Sequence, residues 1–96
     1  MALPASLLLK RNEIRQLAAT HGARNVRVFG SFPRGEANDA SDVDFLVELG
    51  PKTSSWFPAG LILDLEGLLG RKVDVVTEAS LHPMMRERVL REAVPL

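Results

Sequence analysis

The most informative stretch of the sequence is residues 26–49, which read VRVFGSFPRGEANDASDVDFLVEL. It begins with Val26, Val28 and Phe29, and it ends in a second apolar run at residues 45–47. Alternating β-branched and aromatic residues favour strands, because such side chains pack well on a pleated surface. We therefore predict two strands joined by a polar connector that opens with a Gly-Ser turn.

Two carboxylates, Asp42 and Asp44, stand at the edge of the second predicted strand. Strand side chains alternate between the two faces of a sheet, so residues two apart point the same way. Two aligned carboxylates repel each other unless a cation lies between them. The spacing therefore predicts a divalent-cation site at this edge.

A phosphate site is predicted at Gly30 and Ser31. We expect the Gly-Ser turn to open a short helix over residues 31–37, confined to its first positions by Pro33. Free N–H groups at a helix start attract phosphate, glycine allows close approach, and the serine hydroxyl can donate. A plain helix cap is a compatible alternative. A P-loop is excluded, because Glu36 stands where that motif requires lysine.

These residues resemble the signature of the DNA polymerase beta-type nucleotidyltransferase superfamily, in which Gly-Ser is followed at this distance by Asp-x-Asp. The string GSFPRGEANDASDVDFLVEL is similar to the smallest branch, the minimal nucleotidyltransferase (MNT) domains. Many of these are the antitoxin halves of HEPN/MNT toxin–antitoxin pairs. The resemblance covers nearly the whole chain.

The resemblance implies a role for each site residue. Asp42 and Asp44 would bind two magnesium ions, and Asp74 would be the third carboxylate, which completes the catalytic metal site and orients or deprotonates the attacking hydroxyl. Gly30 and Ser31 would hold the triphosphate of the nucleotide.

Asp74 can also be interpreted without the resemblance. Valines flank it within residues 73–77, which predicts a buried strand. Buried strands rarely carry an unpaired carboxylate, so a functional partner is expected. The alternative is a strand-end ion pair with Arg71 or Lys72.

Arg34 has two interpretations of equal weight. It can reach a phosphate of the nucleotide, or it can pair with a nearby carboxylate and brace the loop after the first strand.

The remaining pattern predicts a single domain over residues 1–96, of the α/β class. Its core is a small mixed β-sheet of about three strands with helices packed on it. The predicted helices and strands, in chain order, are helix 5–20, strand 25–29, strand 44–49, helix 58–69, strand 73–77 and helix 81–93.

Composition excludes several classes of protein. The 12 basic residues balance the 12 acidic residues, which gives no electrostatic reason for general nucleic-acid binding. Cysteine is absent, so disulfides and thiolate zinc sites are impossible. The apolar run at residues 7–9 is too short to span a bilayer. A cytoplasmic protein is therefore predicted.

The function implied by the resemblance is magnesium-dependent transfer of a nucleoside monophosphate, AMP from ATP, to a hydroxyl of a partner protein. The implied partner is a HEPN-type toxin, and a hetero-oligomer with it is compatible with this function. Two alternatives stay open. One is a non-catalytic antitoxin that neutralises the toxin by binding to it, and the other is a nucleotidyltransferase acting on a small molecule such as an aminoglycoside.

Overall fold

The computed structural model describes residues 3–96 and contains a four-stranded mixed sheet. The strands are β1 (Ala23–Phe29), β2 (Val43–Leu49), β3 (Val73–Thr77) and β4 (Val94–Pro95), in the order β3-β2-β1-β4. Strand β1 is antiparallel to β2 and β4, whereas β2 and β3 are parallel. The predicted mixed α/β sheet is confirmed, and β4 is an additional edge strand. Residues 1 and 2 of the predicted domain lie outside the described range.

Within residues 3–96, four α-helices pack on this sheet, namely α1 (Ala5–Leu8), α2 (Arg11–Thr20), α3 (Ala59–Leu69) and α4 (Pro83–Glu92). A short 3-10 helix, Glu78–Ser80, follows β3. In the described part of the chain, no helix has both the length and the apolar character needed to cross a membrane.

The alternation of side chains in β2 separates two apolar layers. Val43, Phe45 and Val47 are buried in the main core, beneath helices α1, α2 and α3. Leu46 points to the other face, where it packs with Phe29 and with Val89 of α4. Burying such a side chain stabilises a fold by about 1.5–3 kcal/mol, so both layers hold the helices firmly on the sheet.

The helix predicted over residues 5–20 is interrupted, so that prediction was wrong in part. Helix α1 ends at Leu8, and α2 begins at Arg11 after a turn at Leu9 and Lys10. The Lys10 ammonium donates to the Leu68 carbonyl at the end of α3, at 2.9 Å. This contact between segments far apart in sequence accompanies the break, and a local periodicity cannot reveal it.

The helix predicted over residues 31–37 was wrong, because residues 31–35 form turns and residues 36 and 37 have no regular secondary structure. Phe32 and Pro33 are buried, and Pro33 has no N–H to donate to a helical hydrogen bond. Gly35 has φ +72°, which is outside the right-handed helical region. Two turn hydrogen bonds close the segment instead, from Gly35 N–H to the Phe32 carbonyl and from Glu36 N–H to the Ser31 carbonyl.

Candidate active site

Two of the three predicted carboxylates lie side by side on neighbouring strands of the sheet. Asp44 in β2 lies directly beside Asp74 in β3, because the two parallel strands pair in that register. On its other side Asp44 is opposite Phe29, the last residue of β1, and Gly30 follows immediately. The fold therefore places Asp44 between the Gly-Ser turn and Asp74.

Gly30 lies in contact with the carboxylate of Asp44. Its φ is +85°, a conformation that favours glycine. A Cβ added at this position would lie 2.4 Å from Asp44 Oδ2. The turn and the carboxylate can occupy these positions only because residue 30 has no side chain.

Burial and neighbouring charges both raise the pKa of Asp44. Desolvation has the largest effect, Asp74 and Asp42 add to it, and Arg34 opposes it, so that the pKa rises from 3.8 to about 6. The charges of Asp42 and Asp74 thus both act on Asp44. Like charges held together in this way are typical of functional sites.

This electrostatic arrangement leads to a testable pH dependence. Ionisation of Asp44 is costly in the folded state, so the neutral form of Asp44 adds to the free energy of unfolding. This contribution is complete below pH 4 and is lost as the pH rises through about 6. We expect the ionised group to cost about 1–2 kcal/mol after solvent screening.

Thermal unfolding in EDTA measures this cost, with Asp44→Asn as the reference. Between pH 4.5 and 7.5 the variant should become progressively more stable relative to the unaltered chain. A difference in stability between the two proteins that does not change with pH would contradict this account of the Asp44 environment.

Asp74 differs from the prediction in its burial. It is exposed on β3, an edge strand of the sheet, and its Oδ1 accepts a hydrogen bond from the Val75 N–H at 3.0 Å. Asp74 is therefore hydrated and does not require a partner because of burial. Within residues 3–96, no three acidic or histidine side chains are grouped closely enough to hold one metal ion as they stand.

Arg71, proposed above as an ion-pair partner of Asp74, has a different set of contacts. Its guanidinium donates to the carbonyls of Asn38 and Ser41, both at 3.1 Å, and lies 5.0 Å from the centre of the Phe32 ring. The Ser41 hydroxyl in turn accepts from the Asn38 N–H at 2.9 Å. Arg71 therefore braces the loop that leads into Asp42, a role that the sequence pattern did not reveal.

Ser31 lies in the turn after Gly30 and not at the start of a helix. The phosphate site predicted from helix geometry is therefore not formed in that way. Within the described residues, however, neither the hydroxyl nor the backbone N–H of Ser31 donates a hydrogen bond. Both remain available to a phosphate oxygen.

A cleft of about 250 Å³ lies between this turn and α4. It is lined by Phe29, Gly30, Arg34, Asp44, Met85, Arg88, Val89 and Glu92. A larger depression of about 550 Å³ lies between α2 and the edge formed by β1 and β4, but none of the predicted site residues line it. The chemistry therefore points to the smaller cleft.

Arg34 is held by two carboxylates at the rim of this cleft. Its Nε donates to Glu36 at 2.9 Å, and an Nη donates to Glu92 of α4 at 3.1 Å. The bracing interpretation of Arg34 is therefore confirmed. Its contact with a phosphate stays a prediction.

Residues 10–96 match the family model described as a nucleotidyltransferase domain. This chain belongs to the nucleotidyltransferase family. The predicted family is thus confirmed, together with nucleotidyltransferase activity.

Relatives and solved structures agree with this assignment. The nucleotidyltransferase is 42% identical over 80 residues to the protein adenylyltransferase MntA of Thermococcus cleftensis, covering 83% of this chain and 81% of the relative. A solved structure described as a "putative minimal nucleotidyltransferase" is 50% identical with a TM-score of 0.83, covering 96% of this chain and 94% of the other.

A more distant structure shares the fold alone. It is described as a toxin-antitoxin with AMP-PNP, is 22% identical and has a TM-score of 0.73, covering 88% of the nucleotidyltransferase and 69% of the matched chain.

Proposed function

We propose that this nucleotidyltransferase transfers AMP from ATP to a hydroxyl group of a partner protein, with magnesium as its metal. The observation that carries the proposal is the position of Asp44, which lies against Gly30 and beside Asp74 in an open cleft. A phosphate-binding turn and a set of carboxylates must face each other for a nucleotidyl group to be transferred.

The donor atoms of the site suit magnesium. Asp42, Asp44 and Asp74 offer only oxygen ligands, which hard divalent cations prefer. The raised pKa of Asp44 reflects burial and repulsion that a bound cation would relieve. We propose that Asp42 and Asp44 hold two metal ions and that Asp74 contributes to the catalytic one. A metal bound there would stabilise charge that develops on the phosphate oxygens.

The residues of the turn are proposed to hold the nucleotide. Gly30 lets the triphosphate approach the backbone, Ser31 donates its hydroxyl and N–H, and Arg34 contacts a phosphate from the rim. The acceptor oxygen forms a bond to the α-phosphorus while the bond between the α-phosphorus and the bridging oxygen breaks, and pyrophosphate leaves. The hydroxyl proton passes to a carboxylate, for which we propose Asp74.

A protein acceptor is supported by the name of the relative from Thermococcus cleftensis, a protein adenylyltransferase. A toxin partner is suggested by the structure described as a toxin-antitoxin with AMP-PNP. Together with the resemblance to HEPN/MNT pairs, they lead us to propose that a HEPN-type toxin is the acceptor. A cytoplasmic location is part of the same proposal.

The intact mass of the partner tests this function. We expect the product of a neighbouring toxin gene to gain one or more AMP groups when it is co-expressed with the unaltered chain. The gain should disappear with Asp42→Asn, because this change removes a proposed metal ligand.

The same experiment separates transfer from simple binding. A partner that keeps its unmodified mass, yet is silenced in a stable complex with either form of the chain, would replace our proposal with the binding antitoxin. Transfer to an aminoglycoside in place of the protein would favour a small-molecule acceptor.

A further inference from the structure

Helix α4 forms one wall of the cleft that Asp44 lines, and a chain of three charged groups lies there, two on α4 and Arg34 from the turn after β1. Val89 fixes the helix by packing on Phe29 and Leu46. Arg88, next to this anchor, and Glu92, one turn after it, line the cleft together with Arg34. Helix α4 is distant in sequence from the Gly-Ser turn and from Asp44.

Glu92 joins the two arginines. Its Oε2 accepts from Arg34 at 3.1 Å, and its Oε1 accepts from the Nε of Arg88 at 3.1 Å. The side chain of Glu92 is 23% exposed, whereas that of Arg88 is 63% exposed. The hydrogen bond from Arg88, followed by the charges of both arginines, lowers the pKa of Glu92. Glu92 is therefore an ionised clamp that holds both guanidinium groups at the cleft.

Arg88 has donors left over after this contact. Only its Nε is used by Glu92, and its terminal amino groups donate to nothing else within residues 3–96. A guanidinium has a planar set of donors that matches phosphate oxygens, and holding it in place lowers the cost of using them. Arg88 is thus a partly immobilised cation with its free donors at the mouth of the cleft.

A triphosphate bound in this cleft would require a cation such as the Arg88 guanidinium to balance its charge. A nucleoside triphosphate carries several negative charges and would enter beside Asp44, which lines the cleft and has the charges of Asp74 and Asp42 acting on it. Metal ions at those carboxylates can offset only the phosphate oxygens near them. Phosphates that face α4 require cations near that wall, and Arg88 on α4 and Arg34 beside it are the arginines that line the cleft within residues 3–96.

We propose that Arg88 is a triphosphate-binding residue of this enzyme and that Glu92 is the positioning residue that orients it. The inference rests on the proposed function, since it assumes that the cleft takes ATP. It adds a second anchor on α4 to the one expected at the Gly-Ser turn.

Binding of AMP-PNP and of AMP to the purified full chain, both in magnesium and followed by calorimetry, tests this role. Arg88→Ala should weaken the binding of AMP-PNP by about tenfold or more, which is the effect expected for a lost hydrogen bond to a charged group. The same change should weaken the binding of AMP by less than about threefold, because AMP lacks the β- and γ-phosphates. Arg88→Lys should give an intermediate loss, since lysine keeps the charge but not the fork.

Arg91→Ala is the matched control. Arg91 lies on the same helix, is exposed, does not line the cleft and forms no ion pair in the described residues. Its replacement removes the same charge and should leave both affinities unchanged. Equal effects of Arg88→Ala and Arg91→Ala on AMP-PNP would overturn the inference and leave the proposed function standing. Failure of the unaltered chain to bind AMP-PNP would overturn both the role of Arg88 and the proposed function.

A double-mutant cycle tests the part played by Glu92. If Glu92 positions Arg88, then Arg88→Ala should reduce the affinity for AMP-PNP less in a Glu92→Ala background than in the unaltered chain. An equal loss in both backgrounds would show that Glu92 does not act through Arg88.

Discussion

Asp44→Asn is expected to lower the rate of nucleotidyl transfer by at least about a hundredfold while the fold stays intact. Changes to groups that only support a metal ligand already cost about 10–100-fold, and Asp44 is a proposed ligand itself. Asparagine has nearly the same shape but removes the negative charge. Because burial and repulsion make ionised Asp44 costly, the variant should unfold at no lower temperature at neutral pH.

Transfer is measured with labelled ATP and the partner protein, and the fold is followed by circular dichroism. Asp39→Asn is the control, since Asp39 is an exposed acid of the loop just before the site and carries the same charge. It should keep full activity. An Asp44→Asn variant that transfers as fast as Asp39→Asn would show that the chemistry lies elsewhere.

Gly30→Ala is expected to disrupt the site by geometry alone. The new Cβ would lie 2.4 Å from Asp44 Oδ2, and alanine would be strained at φ +85°. We expect a loss of about 2–4 kcal/mol in the free energy of unfolding, combining backbone strain with overpacking. Transfer should also fall sharply, because the turn and the carboxylate can no longer keep their positions.

Gly35→Ala separates the effect of backbone strain from the effect of overpacking against Asp44. Gly35 also has a positive φ, +72°, but a Cβ there would have no neighbour within 4 Å. This variant should lose only about 1–2 kcal/mol from backbone strain. Urea denaturation of both variants gives the comparison, and equal losses would mean that the contact between Gly30 and Asp44 adds nothing.

Much of the site could be predicted from local pattern. Residues two apart in a strand share a face, so Asp42 and Asp44 were expected to act at one point, and the charge of Asp42 does raise the pKa of Asp44. A Gly-Ser pair after a strand marked the turn that approaches Asp44. These features depend on the short periods and backbone preferences of neighbouring residues, which any sequence displays directly.

The errors arose where distant segments meet. A turn replaced the predicted helix at residues 31–37, where Phe32 is buried and covered by Arg71 from the turn before β3. Asp74 was expected to be buried, but β3 is an edge strand. A strand's neighbours in a sheet cannot be read from its own residues.

By itself the sequence determined the family signature, the two central strands and the paired aspartates, because each depends on spacing along the chain. Only the tertiary structure decided what faces them. Glu92 reaches Arg34 from α4 because Val89 packs on Phe29 and Leu46, and that packing closes the second wall of the cleft. Such contacts depend on how whole elements bury their apolar faces against one another, which no local pattern encodes.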